Sequence, residues 1–311
     1  MDYEEDLRRH VTYAQKKTAN QLCNMSHILN SSIHKDDNNQ RHSILFTPPI
    51  SQEKIVIFSA ITKNYDSLKM PHNINPAFDY ILFSDTPQRE TGIWQIKPVP
   101  FWNKDTTRIT RYVKLHPHVL FSDHTLAIWV DQNVVILDDI HQEIKRFLAT
   151  NLPIGTFYHP TRHNVQDEAL VCIQLHKDNL EILKEQLTHY IQENIPCQEL
   201  AYTNVMFFNL KHPLLPKILT SWWTELERYS KRDQLSFCFA VAKNSSSWHP
   251  LDSKGICAGN HPKFGVFQHD KNHGICASIT QSLSDTLKDP FAGKNLDRKS
   301  TRLNLQSRLH L

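Results

Sequence analysis

The chain has 311 residues, of which 40% are hydrophobic and 22% charged, a composition typical of a soluble globular protein with a sizeable core. Lysine and arginine exceed aspartate and glutamate by only three, 35 against 32, so the charge balance does not indicate a nucleic-acid partner. The seven glycines are too few for collagen-like or glycine-rich designs and argue against a P-loop.

The sequence contains no targeting or membrane segment that we can identify. Charged residues occupy the first positions, where a signal peptide would need an apolar segment, and no run approaches roughly 18 apolar residues. The six cysteines form no C-x-x-C pair, which indicates reduced thiols, with a disulfide between Cys257 and Cys276 left as an alternative. We therefore expect a cytoplasmic protein without a membrane span, with export to a host cell as the alternative.

Composition divides the chain into three parts. Residues 1–47 are predicted to be a polar helical segment followed by a linker, and this segment is either an accessory helix or a partner-binding arm. Residues 48–270 form the predicted catalytic domain. Residues 271–311 form a basic tail that lacks a convincing apolar face.

From residue 54 onward, short apolar runs alternate with amphipathic segments. The apolar runs predict strands at 54–61, 78–85, 93–100, 126–131, 152–160 and 202–210. The amphipathic segments predict helices at 106–121 with a bend at Pro117, 138–149, 164–194 with a break near Lys177–Asp178, 212–230 and 232–243. This alternation predicts an α/β fold with a mostly parallel central sheet and helices on both faces.

Polar residues stand near the carboxyl ends of three predicted strands, where open α/β sheets bind their ligands: Asp85, Asp131 and Asn209. The stretch LAIWVDQNVVILDD, residues 126–139, brings Asp131 and Asn133 to the end of a buried strand. Both side chains could hold a divalent cation, which neutralises a departing diphosphate as a Lewis acid. The alternative is that Asp-Gln-Asn only makes a turn between two strands.

Several segments resemble glycosyltransferases. YTNVMFFNL at 202–210, RDQLSF at 232–237 and the line around Asp131 are similar to motifs of glycogenin-like family 8 enzymes of the GT-A fold. A closer resemblance is to the TOD/MUCI-type glycosyltransferase-like domain family. It is carried by IVIFSAITKNYDSL, YILFSD, TRITRYVKLHPHVLF, IWVDQN, HPTRHNVQDEA and RDQLSF.

The resemblance implies a GT-A fold, Rossmann-like with a mixed, mostly parallel sheet, and a UDP-sugar or other nucleotide-sugar donor. It also implies a Mn²⁺ or Mg²⁺ ion held by Asp131, by Asn133 and by a late histidine, either His269 or His261. Two positions depart from the patterns: Asn133 replaces the second aspartate of D-x-D, and Ser122 stands where the TOD/MUCI type usually has proline.

The loops after the first two strands supply further donor-binding candidates. Ser59, Thr62 and Tyr65 are predicted to lie on the loop after the first strand, a natural place for a base and ribose. Asp85 ends the second strand, as an acid that contacts uridine often does. An ordinary strand-terminal turn is the alternative for Asp85.

The first long helix carries three cations. Arg108, Arg111 and Lys114 fall three residues apart, hence on one helix face, and could bind the donor phosphates. The resemblance favours Lys114 most. A solvated cationic face is the alternative.

Two other motifs supply candidates for donor binding and catalysis. His159 and Arg162 from HPTRHNVQDEA are predicted to contact the donor, and Glu168 to take part in catalysis, unless they only brace the following helix. Asp233 and Gln234 from RDQLSF are predicted to act near the acceptor pocket, with helix capping as the alternative. If the reaction inverts the anomeric configuration, Asp233 or Glu168 would serve as base.

These observations predict a metal-assisted glycosyltransferase that transfers a sugar from a nucleotide-diphosphate sugar to a glycan or protein acceptor. The first alternative is a catalytically degenerate GT-A domain that binds a nucleotide or glycan, or acts as a protein-interaction module. A metal-dependent hydrolase is a third hypothesis.

Overall fold

The predicted alternation of strands and helices is present in the computed structural model, which describes residues 53–88, 91–197 and 199–269. The predicted segments 1–47 and 271–311 lie outside these residues. The described part of the predicted catalytic domain begins at residue 53 and ends at residue 269. The strands are β1 (Ile55–Ile61), β2 (Phe78–Ser84), β3 (Gln95–Pro98), β4 (Leu126–Val130), β5 (Val134–Ile136), β6 (Ile154–Tyr158), β7 (Ala201–Asn209), β8 (His249–Pro250) and β9 (Phe264–Val266). The helices are α1 (Thr106–Leu115), α2 (Pro117–Leu120), α3 (His141–Ala149), α4 (Val165–Gln174), α5 (Leu180–Glu193), α6 (Leu215–Arg228) and α7 (Asp233–Lys243).

The main sheet has seven strands in the order β3-β2-β1-β4-β7-β6-β8. Neighbouring strands are parallel except at β7, which is antiparallel to both β4 and β6. The predicted mostly parallel α/β sheet is therefore confirmed. Because β7 is reversed, its amino end lies beside the carboxyl end of β4, with Val205 opposite Val130.

The reversal of β7 corrects the prediction that Asn209 lies at the ligand-binding edge. Asn209 ends β7 and pairs with Leu126 at the start of β4, so it lies at the opposite edge of the sheet. The prediction was wrong because an apolar run locates a strand without giving its direction. Residues 202–204, at the amino end of β7, lie at the edge where β4 ends.

Both faces of the sheet are buried, as expected for strands that read as continuous apolar runs. On β1, Val56 and Phe58 pack into a core cluster that also contains buried residues of α1, α6 and α7. Ile55 and Ile57 face the other way, into a cluster with α3 and the small β5–β9 sheet. Successive side chains of a strand point to opposite faces, so one apolar run supplies two cores. The prediction of helices on both faces is confirmed.

Local sequence signals set the helix ends. Asp105 precedes α1, and its carboxylate accepts a hydrogen bond from an N–H of the first turn. Pro117 cannot continue α1 and instead begins α2. The predicted break within 164–194 is confirmed, because α4 ends at Gln174 and Asn179 caps the start of α5.

In the described part of the chain, no helix is long and apolar enough to cross a membrane. The cysteines described there, Cys172, Cys197, Cys238 and Cys257, carry free thiols. Cys276, the other half of the alternative disulfide, lies outside the described residues.

Candidate active site

A cleft of about 520 Å³ opens where β1 and β4 end and β7 begins, a volume in the usual range for small-molecule sites. The strands β1, β4 and β7 are neighbours in the sheet, so three strand ends meet here. The lining consists of Thr62, Lys63, Tyr65, Thr106, Thr107, Thr110, Arg111, Trp129, Asp131, Gln132, Asn133, Tyr202, Thr203, Asn204, Arg232, Asp233, Gln234 and His269.

The loop after β1 reaches the cleft through a strained backbone. Lys63 and Asn64 have φ angles of 53° and 49°, in the left-handed region that side-chain-bearing residues rarely adopt. Both carboxylate oxygens of Asp85 accept the Lys63 N–H, at 2.8 and 3.1 Å, and the Thr86 hydroxyl donates to the Asn64 amide oxygen at 2.6 Å. These bonds hold the loop, including Tyr65, against the cleft, and such strain often marks functional sites.

Asp131 follows β4 directly and lines the cleft. Its N–H donates to the carbonyl of Asn204, and its own carbonyl accepts the N–H of Val134, both at 2.8 Å. The second bond closes a turn, so Asp-Gln-Asn does form a turn between two strands, as the alternative interpretation of this tripeptide expected. Oδ1 also accepts the indole N–H of Trp129 at 2.7 Å, yet the carboxylate side chain stays 29% exposed. A turn residue can therefore also present its carboxylate to a ligand.

Asn133 and His269 could complete a cation site with Asp131. The Asn133 amide nitrogen donates to the Phe267 carbonyl at 2.9 Å, which leaves the amide oxygen for a ligand. His269 Nδ1 lies 2.7 Å from an oxygen of Asp66, which leaves Nε2, and metal-ligating histidines usually engage a carboxylate in this way.

This donor set fits the cation that the resemblance implies. Two oxygens and one imidazole nitrogen suit Mn²⁺ or Mg²⁺ when diphosphate oxygens complete the coordination. Among the described residues there is no group of three or more His, Cys, Asp or Glu side chains that could hold a metal. The fit therefore depends on the carboxamide of Asn133, which replaces a second carboxylate.

Asp233 lies buried beneath the cleft with its carboxylate fully engaged. It is 2.5 Å from Lys114 Nζ, 3.1 Å from Arg111 Nε and 2.9 Å from the Thr203 hydroxyl. The indole N–H of Trp222 donates to its carbonyl at 3.0 Å. Burial raises the pKa of Asp233, but the charges of Arg111 and Lys114 lower it by more than burial raises it. The pKa of Asp233 therefore lies below its usual value. Asp233 is thus an anion that positions two cations.

Three cationic side chains line the cleft together with the two carboxylates Asp131 and Asp233. Lys63, Arg111 and Arg232 line it, whereas Lys114 is wholly buried and does not. Lys114 Nζ lies 3.9 Å from Oδ1 of Asp131, so it also stabilises that carboxylate from below. Cations arranged around the turn that carries the Asp131 carboxylate suit a ligand that contains phosphates.

The structure brings eight of the predicted site residues together at the cleft: Thr62, Tyr65, Arg111, Asp131, Asn133, Asp233, Gln234 and His269. Of the two candidate late histidines, His261 is not among them. It is buried beside Asp252, with Nε2 3.3 Å from that carboxylate.

Three donor-binding candidates lie close to the cleft without lining it. Ser59 is buried within β1 and not on the loop after it, so its predicted position was wrong, and Asp85 is engaged by the β1 loop. Arg108 donates to the carbonyls of Leu226 and Tyr229 at the end of α6, the latter at 3.0 Å. Arginine at a helix carboxyl end satisfies carbonyls that lack intrahelical partners, which is why Arg108 is turned away from the cleft.

The residues from HPTRHNVQDEA form a separate cluster outside the cleft lining. Arg162 bonds the buried carboxylate of Glu168 through Nε and contacts His159 Nε2 at 2.6 Å through Nη2. Glu168 also accepts from the thiol of Cys172 at 3.5 Å. Asn164 caps α4. These contacts tie the chain after β6 to the first turns of α4. They agree with the alternative that these residues only brace the following helix.

Several lining residues were not predicted from the sequence. Tyr202, Thr203 and Asn204 lie at the cleft because β7 is reversed, a feature that no sequence pattern showed. Three threonines and two cations were also missed: Thr106, Thr107, Thr110, Lys63 and Arg232. Arg232 was within reach of prediction, because it begins the quoted RDQLSF motif.

Comparison with known proteins places the chain in a family. The model of the family described as TOD1/MUCI70, glycosyltransferase-like domain, matches residues 47–251. The chain belongs to this family. The resemblance to TOD/MUCI-type proteins drawn from the quoted motifs is therefore confirmed.

A curated relative is the probable hexosyltransferase MUCI70 of Arabidopsis thaliana, 26% identical over 210 residues that cover 59% of this chain. The match covers only 36% of that relative. Similar solved structures include mouse xyloside xylosyltransferase 1 in its apo form, at 13% identity and a TM-score of 0.42, covering 70% of this chain and 97% of the other. The galactosyltransferase LgtC with donor and acceptor sugar analogs matches at 13% identity and a TM-score of 0.35, covering 60% of this chain and 70% of the other.

Proposed function

We propose that this protein is a glycosyltransferase that transfers a sugar from a nucleotide-diphosphate sugar to a hydroxyl of a glycan or protein acceptor. The observation that carries the proposal is the position of Asp131 in a cleft that Arg111 and Arg232 also line. A diphosphate needs cations around it, and a partly exposed carboxylate beside it is a suitable ligand for a divalent cation. Membership of a glycosyltransferase-like domain family supports the same function.

The order of the strands supports an extended donor. The loop after β1 carries Thr62 and Tyr65, β4 ends at Asp131, and β7 begins beside it. Such a row suits a nucleoside over the β1 loop, a diphosphate at the end of β4 and a sugar over the start of β7. Ligands of open α/β sheets lie across strand ends in this manner.

A Mn²⁺ or Mg²⁺ ion held by Asp131, Asn133 and His269 would stabilise the negative charge that develops on the departing diphosphate. Asp66 would keep His269 turned toward that site, since it engages Nδ1 at 2.7 Å. Arg111 would bind phosphate oxygens while Asp233 fixes its guanidinium.

The same geometry makes Asp233 a poor general base. An efficient base has a pKa near the working pH, whereas two cations hold the pKa of Asp233 below its usual value. Glu168, the other candidate base, is paired with Arg162 outside the cleft lining. We therefore assign Asp233 a positioning role and Gln234 contact with the sugar or acceptor, so that catalysis comes mainly from orientation and charge neutralisation.

A donor panel tests the proposal. Purified protein is incubated with UDP-sugars and GDP-mannose, with Mn²⁺, Mg²⁺ or chelator, and release of the nucleotide is measured. At least one donor should be turned over in a metal-dependent manner, and Asp131→Asn should reduce the rate roughly 100-fold or more. Asp123→Asn, an exposed aspartate before β4, is the matched control and should have no effect. If no donor bound to the protein and none released its nucleotide, the proposal would be contradicted.

A second candidate function is binding of a nucleotide or glycan without turnover. Asn133 favours it, because a carboxamide is a weaker cation ligand than the carboxylate it replaces. In this case donors would raise the melting temperature of the protein, yet no nucleotide would be released. Asn133→Asp would then be expected to strengthen Mn²⁺ binding without creating turnover.

A further inference from the structure

Asn204 lies at the cleft and buries a carboxamide that has no hydrogen-bond partner among the described residues. The residue lines the cleft and is only 6% exposed, and neither Nδ2 nor Oδ1 has a hydrogen-bond partner within the described residues. Burying a polar group without a partner is unfavourable, so native structures seldom keep such a group. When it lies in a cleft, a ligand is the natural partner.

The other carboxamides of the described cleft lining differ from Asn204 in this respect. Gln132 donates to the Ala60 carbonyl, Asn133 to Phe267 and Gln234 to Ala201. Each of these three amides is thus held by the backbone of the protein itself. Asn204 keeps both its donor and its acceptor for something that the protein does not supply.

The position of Asn204 indicates which part of a donor would meet it. Its backbone carbonyl accepts the N–H of Asp131 at 2.8 Å, across the β4–β7 pairing. The loop after β1 lies on the other side of β4. If the diphosphate lies at Asp131 and the nucleoside over the β1 loop, the remaining part of the donor is the sugar, and it lies over Asn204.

We infer that Asn204 selects the transferred sugar by hydrogen-bonding to two neighbouring ring hydroxyls. This inference rests on the proposed function and adds a specificity residue to it. A carboxamide offers one acceptor oxygen and a donor nitrogen, and a pair of adjacent hydroxyls matches both. A phosphate or carboxylate would use the donor alone and leave Oδ1 unpaired and repelled. The substrate class that fits is a neutral sugar with an intact vicinal diol.

Binding measurements separate the sugar contact from the diphosphate contact. Titration calorimetry with Mn²⁺ compares a nucleotide sugar with the corresponding nucleoside diphosphate, on the unaltered protein and on Asn204→Ala. Affinity for the nucleotide sugar should fall roughly 10-fold or more, while affinity for the nucleoside diphosphate stays within about 2-fold. Asn204→Ser, which retains one hydroxyl, should give an intermediate loss for the nucleotide sugar.

Asn209→Ala is the matched control, because Asn209 is a buried asparagine on the same strand at the opposite edge. It should change neither affinity. A donor analogue that lacks one ring hydroxyl at the contact should bind the unaltered protein more weakly than the full donor does. On Asn204→Ala, the analogue and the full donor should bind with equal affinity.

Two outcomes would overturn the inference. One is an equal loss of affinity for both ligands in Asn204→Ala and Asn204→Ser, which would show that the amide contacts the diphosphate and not the sugar. The other is unchanged affinity for both ligands. Failure of the proposed function looks different, since the unaltered protein would then bind no nucleotide sugar. Circular dichroism and melting of each ligand-free variant verify that it is folded.

Discussion

The ammonium of Lys114 lies 2.5 Å from the carboxylate of Asp233, and neither side chain is more than 3% exposed. The contact fastens α1 to the start of α7 directly beneath the cleft. Lys114 also lies 3.9 Å from Asp131, so one buried cation serves both aspartates. Packing and site geometry therefore depend on the same side chain.

Replacing Lys114 by methionine should lower the free energy of unfolding by about 3–5 kcal/mol, because it leaves a buried charge with less compensation. Denaturant unfolding measures the change. Lys184→Met is the control, since it breaks a more exposed pair with Glu181 and should cost less than about 1 kcal/mol. An equally small cost for Lys114→Met would contradict the buried pair.

The Asp66–His269 contact predicts an effect on metal affinity. Asp66→Asn should weaken Mn²⁺ binding roughly 10- to 100-fold, because the carboxylate no longer orients the imidazole. Electron paramagnetic resonance of free Mn²⁺ measures this without an activity assay. Asp252→Asn removes the equivalent partner of His261 outside the cleft and should leave Mn²⁺ affinity unchanged. Equal effects of the two substitutions would argue against His269 as a ligand.

Two arginines on one helix should behave differently when replaced. Arg111→Gln should weaken binding of a nucleoside diphosphate about 10-fold or more, because Arg111 lines the cleft. Arg108→Gln should instead lower stability by about 1–2 kcal/mol, because it removes donors from the carboxyl end of α6. Calorimetry and denaturant unfolding separate the two effects. If Arg108→Gln weakened nucleotide binding as much as Arg111→Gln, the placement of Arg108 would be wrong.

The buried His159 predicts a pH-dependent contribution to stability. Burial and the charge of Arg162 lower the pKa of His159 to about 3, from the ordinary value near 6.5. Between these values the unfolded chain binds a proton that the folded protein does not, so stability falls as pH falls below about 6.5. His159→Gln should reduce this fall by on the order of 1 kcal/mol per pH unit. Unfolding at pH 7 and pH 5 tests it, and an unchanged fall in stability in His159→Gln would contradict this contribution.

Much of the fold followed from the sequence because the core strands leave few alternatives. The run at 126–130 is apolar throughout, as a strand covered on both faces must be, and the polar Asp131 follows it. Pro117 and Asn179 likewise set helix ends through known local chemistry. The direction of β7 could not be predicted, because direction depends on which neighbour the strand pairs with. This explains both the error at Asn209 and the failure to predict Asn204.

The candidate site was predictable only in part for a related reason. Helix spacing predicted that Arg108, Arg111 and Lys114 lie on one face of α1. A single face nevertheless meets different elements along its length, and here Arg108 reaches the end of α6 while the other two reach Asp233. Which element lies opposite a given turn depends on tertiary packing.

The role of Asp131 in holding the donor diphosphate is tested by measuring the binding of a nucleoside diphosphate with and without Mn²⁺, on the unaltered protein and on Asp131→Asn. Asp131→Asn keeps the shape of the side chain and removes its charge. We expect Mn²⁺ to strengthen nucleotide binding to the unaltered protein, and this enhancement to be lost in Asp131→Asn but kept in Asp123→Asn. Equal Mn²⁺ enhancement in all three proteins would contradict a role for Asp131 in holding the donor diphosphate.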